Sequence, residues 1–202
     1  MTHVSKPDRP ASGGGIATAL LRQDRLLLAM QAFFLTQIGI ELMLGRPWDA
    51  LAAFGALGAC LIPPAIRGNT RFHLPPSVDR STAVLVFATI FLGERLTFYE
   101  RFWWWDLAAH AVAGALLCFL GGLLFDQLSH GPDRRNHRLK ITFLLSFSIA
   151  IAALWEVLEY ALDVLFDSDA QDTGLDDTMT DIIAHVCGAL AALMAFRRSR
   201  RD

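Results

Sequence analysis

Charge is scarce in this chain. Only 19% of its 202 residues are Asp, Glu, Lys or Arg, below the roughly 25% of an ordinary soluble domain. The net charge of −2 offers no overall attraction for nucleic acid. Cysteine is nearly absent: Cys60, Cys118 and Cys187 stand singly inside apolar runs. Without a Cys-x-x-Cys pair, neither a disulfide framework nor a thiolate zinc site is indicated, and the three read as small packing residues. The chain also lacks a Gly-rich phosphate loop, a nucleophile elbow and a His-Glu-x-x-His motif. The acidic stretch "DSDAQDTGLDD" fails as an EF-hand, because Thr180 falls where the bidentate glutamate belongs.

What is abundant is apolar. Hydrophobic residues make up 53% of the chain, and a helix crossing about 30 Å of hydrocarbon at about 1.5 Å per residue needs about 20 of them in a row. Stretches near 26–44, 48–66, 80–98, 107–125, 139–162 and 178–196 come close to that need, several of them interrupted by charge. The expectation is an all-α polytopic membrane protein of about six transmembrane helices. Residues 1–25 are expected to form a disordered cytoplasmic tail, 26–196 one transmembrane domain and 197–202 a basic cytoplasmic tail. The connections "GRPW", "RGNTRFHLPPS" and "SHGPDRRNHR" are rich in turn formers. Pro63 and Pro64 are expected to kink or end the second span.

Basic residues flanking spans are retained on the cytoplasmic side. Fifteen of the eighteen Lys and Arg fall on one side of this six-span arrangement, leaving Arg46, Arg95 and Arg101 on the other. Both termini are therefore expected in the cytoplasm of a bacterium, with the protein multi-pass in its inner membrane. Trp48 and the trio Trp103, Trp104 and Trp105 fall at outer span ends, where amphipathic rings favour the headgroup layer.

The remaining ionisable groups gather at that same outer level. Glu41, Glu94, Asp106, His110, Glu156, Glu159, Asp177, Asp181 and His185 all lie near outer span ends, with Tyr160 on the stripe of Glu156 and Glu159. Asp163 and Asp167 are read as part of a solvated loop, and Glu41 equally well as a snorkelling surface residue. A charge at the bilayer centre costs at least about 2.5–3.5 kcal/mol, so such groups turn inward and find partners. Residues four apart share a helix face, which stacks Asp106 on His110 and lines up Asp177, Asp181 and His185. An internal echo strengthens the grouping: "DLAAHAVAGAL" at 106–116 resembles "DIIAHVCGAL" at 181–190. Spans three and four and spans five and six are thus candidates for repeated hairpins about an axis along the membrane normal. They would bring Glu94, Asp106 and His110 towards Glu156, Asp181 and His185. Gly114 and Gly188 would let the helices approach closely.

Several carboxylates and two imidazoles in a dry setting repel and protonate unless a cation holds them. A divalent metal, Zn, Mn or Fe, is the cofactor expected at those six residues, with Glu159, Tyr160, Asp177 and Glu41 as further polar members. A metal there suits hydrolysis or transfer on a lipid or lipid-linked substrate at the outer interface. Two other classes stay open: a small transporter or proton-coupled carrier, and a scaffold whose polar groups only fasten helices, at about 0.6 kcal/mol per bond. Membrane lipids are the expected partners, with nucleic acid excluded and a homo-oligomer open.

The stretches "GERLTFYERFWWWDLAAHAVAG", "ALWEVLEY" and "DDTMTDIIAHVCGAL" resemble the YjdF-like family of small bacterial inner-membrane proteins, a family without a characterised function. Gly93, Glu94, Asp106, His110, Trp155, Glu156, Asp177, Thr178 and Asp181 carry the likeness, and His185 departs from it, an apolar residue being commoner there. The Asp-x-x-x-His pattern more distantly resembles VanZ-type membrane proteins. Neither resemblance implies a substrate.

The charge asymmetry makes a direct prediction about orientation. In a cysteine-free background on intact cells, Ser168→Cys should react with an impermeant thiol reagent and Ser199→Cys should not. The reverse pattern would place the acidic end in the cytoplasm.

Overall fold

The computed structural model describes residues 23–69, 72–130, 136–166, 171 and 174–198. The tail before residue 23, most of the acidic loop, and Ser168 and Ser199 lie outside the described residues. All regular structure among the described residues is helical: α1 (Arg25–Met43), α2 (Pro47–Asn69), α3 (Pro76–Val86) running directly into a π-helical stretch (Phe87–Arg95), a short α4 (Phe98–Arg101), α5 (Trp105–Leu128), α6 (His137–Phe166) and α7 (Leu175–Arg198). Five of these, α1, α2, α5, α6 and α7, are long and apolar enough to cross a membrane. The sixth expected span is the composite of α3 and the π-helix, covering residues 76–95.

Local chemistry sets the boundaries. Asp24 caps α1 by accepting from the Leu26 amide at 2.9 Å, satisfying one of the donors left over at a helix start. Gly45, at φ 70°, turns the chain out of α1, a conformation that glycine adopts without steric cost. Pro76 opens α3, where a missing N–H is harmless. Pro63 and Pro64 do not end α2, which continues to Asn69 with both rings buried. A ring lodged between neighbouring helices is tolerated in a membrane helix when packing compensates the lost backbone bond. Likewise α6 runs on to Phe166, so Asp163 lies on a helix and not in a loop. Its Oδ2 accepts from the Gln171 amide at 3.0 Å.

The helices sort into two groups with separate cores. Leu27 and Phe34 of α1 pack with Ala53, Ala56 and Cys60 of α2 and Ala83 and Val86 of α3. Cys118 and Phe125 of α5 pack with Leu144 of α6 and Ala189 of α7. Cys60 and Cys118 are thus packing residues, whereas Cys187 is exposed. The groups meet where α3 and the π-helix lie against α5. There the Trp105 indole donates to the Ala88 carbonyl at 3.2 Å. Trp105 therefore faces the bundle, unlike Trp48, Trp103 and Trp104, whose exposed rings fit an interfacial belt.

Contacts between α5 and α7 are the most extensive between helices among the described residues. The two helices run parallel, with Asp106 beside Asp181 towards their starts and Phe119, past the middle of α5, stacked on Phe196 near the end of α7. A methyl group added at Gly114 would stand 2.0 Å from the His185 carbonyl oxygen, and one at Gly188 would stand 1.8 Å from that of Ala111. Each glycine thus receives the partner's backbone next to, or at, the partner's histidine. This reciprocity is what the sequence echo encodes. It is confined to the α5–α7 pair: α6 packs on both α5 and α7, whereas α3 packs on α5 with no comparable contact to α7.

Backbone at the contact point leaves no flexible atom to yield. Gly188→Ala and Gly114→Ala should each destabilise the protein by about 1–3 kcal/mol, the usual cost of overpacking. Gly39→Ala, where nothing lies within 4 Å of the added carbon, should be neutral or mildly stabilising. Thermal midpoints in detergent check the contrast. Equal effects at Gly39 and Gly188 would refute the backbone contact.

Candidate functional site

The parallel crossing of α5 and α7 dictates what stands at their starts. Asp106, in the first turn of α5, is stacked on His110 one turn later, and Asp181 of α7 faces both. Ligand atoms of the three lie within 4.8 Å of one another. His110 Nε2 stands 3.6 Å from Asp106 Oδ1 and 3.8 Å from Asp181 Oδ2, beyond good hydrogen-bond length. Asp181 is 2% exposed, and its Oδ1 is buried with no hydrogen-bond partner.

Glu156 of α6 adds a second buried carboxylate, 5% exposed. Both its oxygens are buried without a hydrogen bond of good geometry, Thr178 being the neighbouring hydroxyl. Asp106 and Asp177 lie within reach of its charge. Leaving a buried carboxylate oxygen without a donor costs more than about 1–3 kcal/mol, so three such oxygens at one end of a bundle are an unbalanced account. Glu159 is half-buried and accepts from the Trp155 indole at 2.7 Å.

Other expected members are elsewhere. His185 is buried one turn deeper, where its Nε2 lies 2.9 Å from Ser148 Oγ. That hydroxyl also donates to the Gly114 carbonyl at 3.2 Å. Both contacts are satisfied together when Ser148 donates to Gly114 and accepts from a His185 protonated on Nε2, which assigns the tautomer from the hydrogen-bond network. His185 belongs to the helix crossing and stands outside the trio. Tyr160 is 58% exposed and faces away from the bundle. Glu41 is no snorkelling residue: it is 3% exposed and accepts from Arg95 Nε at 3.0 Å, with Arg46 at 3.7 Å. Arg95 accordingly serves Glu41 and not its neighbour Glu94. Glu94 sits beside these groups on the wall of a cavity of about 30 Å³, shared with Glu41, Asp49 and Arg95, and within electrostatic reach of Asp106. A space of that size holds about one water.

Two contributors carried no motif. Ser148 is an ordinary residue in an apolar run, distinguished only after α5 and α7 are brought against α6. Tyr99 of α4 lays its ring against Gly93, 2.3 Å from where a side chain would begin. Burial, and then the Asp106 charge, push its phenol up from the ordinary range, so it remains protonated.

A family model described as "Predicted membrane protein (DUF2238)" matches residues 23–202. An uncharacterised protein of Thermotoga maritima is 26% identical over 119 residues, which is 59% of this chain and 61% of that relative. The match therefore spans less than two thirds of the relative's length. No solved structure matches. The family description agrees with the membrane-protein resemblance read from residues 90–190, and neither finding extends to the VanZ type.

The Ser148–His185 pair makes a quantitative prediction. Ser148→Ala leaves a buried imidazole N–H without its acceptor and should cost about 1–2 kcal/mol. In a double-mutant cycle with His185→Phe the coupling should be about 0.5–1.5 kcal/mol. Strict additivity of the two substitutions would show that the hydrogen bond is absent.

Proposed function

Starting from a chain that belongs to the DUF2238 family of predicted membrane proteins, we propose that Asp106, His110 and Asp181 hold a divalent cation at the outward end of the bundle. In this reading the protein acts on a lipid or lipid-linked substrate at the outer face of the bacterial inner membrane, with both termini in the cytoplasm. The observation that carries the proposal is Asp181 Oδ1, buried beside a carboxylate and an imidazole yet bonded to nothing. Two ligand atoms at about 2.1 Å from one tetrahedral ion stand about 3.4 Å apart. The separations of 3.6 and 3.8 Å are a few tenths of an ångström from that value. Glu156 of α6 would add a third carboxylate and so a fourth ligand residue. A mixed Asp, Glu and His set suits Zn, Mn or Fe.

A cation at that point would lower the pKa of a coordinated water and polarise a phosphoryl oxygen. The protein's own part is to exclude bulk water, fix the carboxylates and present the site at headgroup depth beside Trp103 and Trp104. A proton-coupled carrier is less well supported. Below His185 the described faces of α5, α6 and α7 meet through Cys118, Phe125, Leu144 and Ala189, which offer no relay for a proton.

Asp106→Asn and Asp181→Asn keep side-chain volume and remove one anionic ligand each. Wild-type protein should contain about one cation per chain, and each variant substantially less. With metal at about 100 times its dissociation constant, binding adds about 2.7 kcal/mol. The variants should lose most of that gain and differ little from wild type after chelation. Absence of stoichiometric metal, with equal stability changes in the presence and absence of chelator, would instead leave these residues as fasteners between helices.

A further inference from the structure

At the opposite end of the bundle a cavity of about 560 Å³ opens among the start of α1, the end of α2 and the start of α3. Its walls include Asp24, Arg25, Arg67, Leu74, Asp79 and Arg80. That volume is in the range of small-molecule sites. Both carboxylates there are already committed. Asp79 is 1% exposed, is paired with the Arg67 guanidinium, and accepts from the Asp24 amide at 2.9 Å. Asp24 in turn is paired with Arg80 Nε at 2.8 Å. The lining thus counts three arginines against two aspartates, and the cavity carries a net positive charge. A further detail points to a ligand: Arg67 Nε is buried and has no acceptor.

We propose that this cavity binds the phosphate of an anionic lipid headgroup. A phosphate oxygen supplies the acceptor that Arg67 Nε lacks, and its charge balances the surplus guanidinium. Leu74 and Pro76 give the cavity an apolar wall, which suits the glycerol and first methylenes of a lipid better than a free ion. The cavity also lies at the end expected from the sequence to carry fifteen of the eighteen basic residues. Basic pockets between membrane helices on that side are where anionic headgroups gather. The three charged helix ends are then closed by the leaflet itself. This site is independent of the acidic cluster and of any metal held there.

The test uses the purified full chain in neutral detergent, with its thermal midpoint followed as phosphatidylglycerol, phosphatidylcholine or inorganic phosphate is added. Phosphatidylglycerol should raise the midpoint saturably and phosphatidylcholine should not. Arg25→Gln and Arg80→Gln should each weaken the apparent affinity by about tenfold, the loss of one charge-assisted hydrogen bond. Arg67→Gln alone would strand the buried Asp79 and could unfold the protein. The double variant Arg67→Gln/Asp79→Asn removes both charges together, and should fold and lose the response. Equal responses to the two lipids, or a full phosphatidylglycerol response in all the variants, would overturn the proposal. The same rise with inorganic phosphate would overturn the lipid assignment in favour of a free phosphate ion.

Discussion

Everything at the acidic end depends on two helices touching through their backbones. Lipid tails are as apolar as leucine, so packing of small residues, and not hydrophobic exclusion, brings membrane helices together. At Gly114 and Gly188 the approach is closer than any side chain would permit. Because the contact is reciprocal and the helices are parallel, the first turn of α5 is held level with the second turn of α7. Asp106 and Asp181, each about two turns before its helix's glycine, are thereby forced into the same small volume. Like charges brought together by backbone packing cannot relax away without undoing the crossing. The geometry therefore imposes an electrostatic cost, which only protons or a cation can offset.

The two ends of the bundle answer their charges differently. At the basic end every described carboxylate near a helix terminus has a cationic partner: Asp24 with Arg80, Asp79 with Arg67, and Asp126 with Lys140 at 2.6 Å. Gln127 adds a cross-link, accepting from the His73 amide at 2.6 Å and so tying the connection before α3 to the end of α5. At the acidic end Glu41, although its Oε2 also lacks a hydrogen bond, has two arginines beside it. Glu156 and Asp181, by contrast, retain buried oxygens without donors and have no Lys or Arg in ion-pairing range among the described residues. A chain that pairs its buried carboxylates elsewhere leaves them open where α5, α6 and α7 meet. Ion pairs would have closed that end at little cost in sequence, and this contrast is the physical basis for assigning it a ligand.

Much of this was legible in the sequence, because hydropathy and depth are both one-dimensional signals. The helices follow the apolar runs to within a few residues, and the echo of Asp-x-x-x-His followed by glycine marked the pair that would cross. What the sequence concealed were choices of partner. Arg95 adjoins Glu94 in the chain but turns to Glu41, since side chains one apart on a helix point in different directions. The π-helix from Phe87 to Arg95 has no composition signature, and it alters the phase of every residue after it. Trp105 resembled its two neighbours, yet one further step around the helix start carries its ring inward to Ala88. His185 repeats His110 in the echo but lies against Ser148 of α6, whereas His110 lies between Asp106 and Asp181. The equivalence of the two motifs therefore ends at the packing of α6, which a pairwise sequence comparison does not contain.

The central claim, a cation held where α5 and α7 start, is tested most directly by anomalous diffraction from crystals of the wild-type protein grown with Mn²⁺. The account predicts one difference peak per chain between Asp106, His110 and Asp181, at about 2.0–2.3 Å from their ligand atoms. Ordered protein around those three side chains with no peak between them, or a peak elsewhere in the chain, would contradict it.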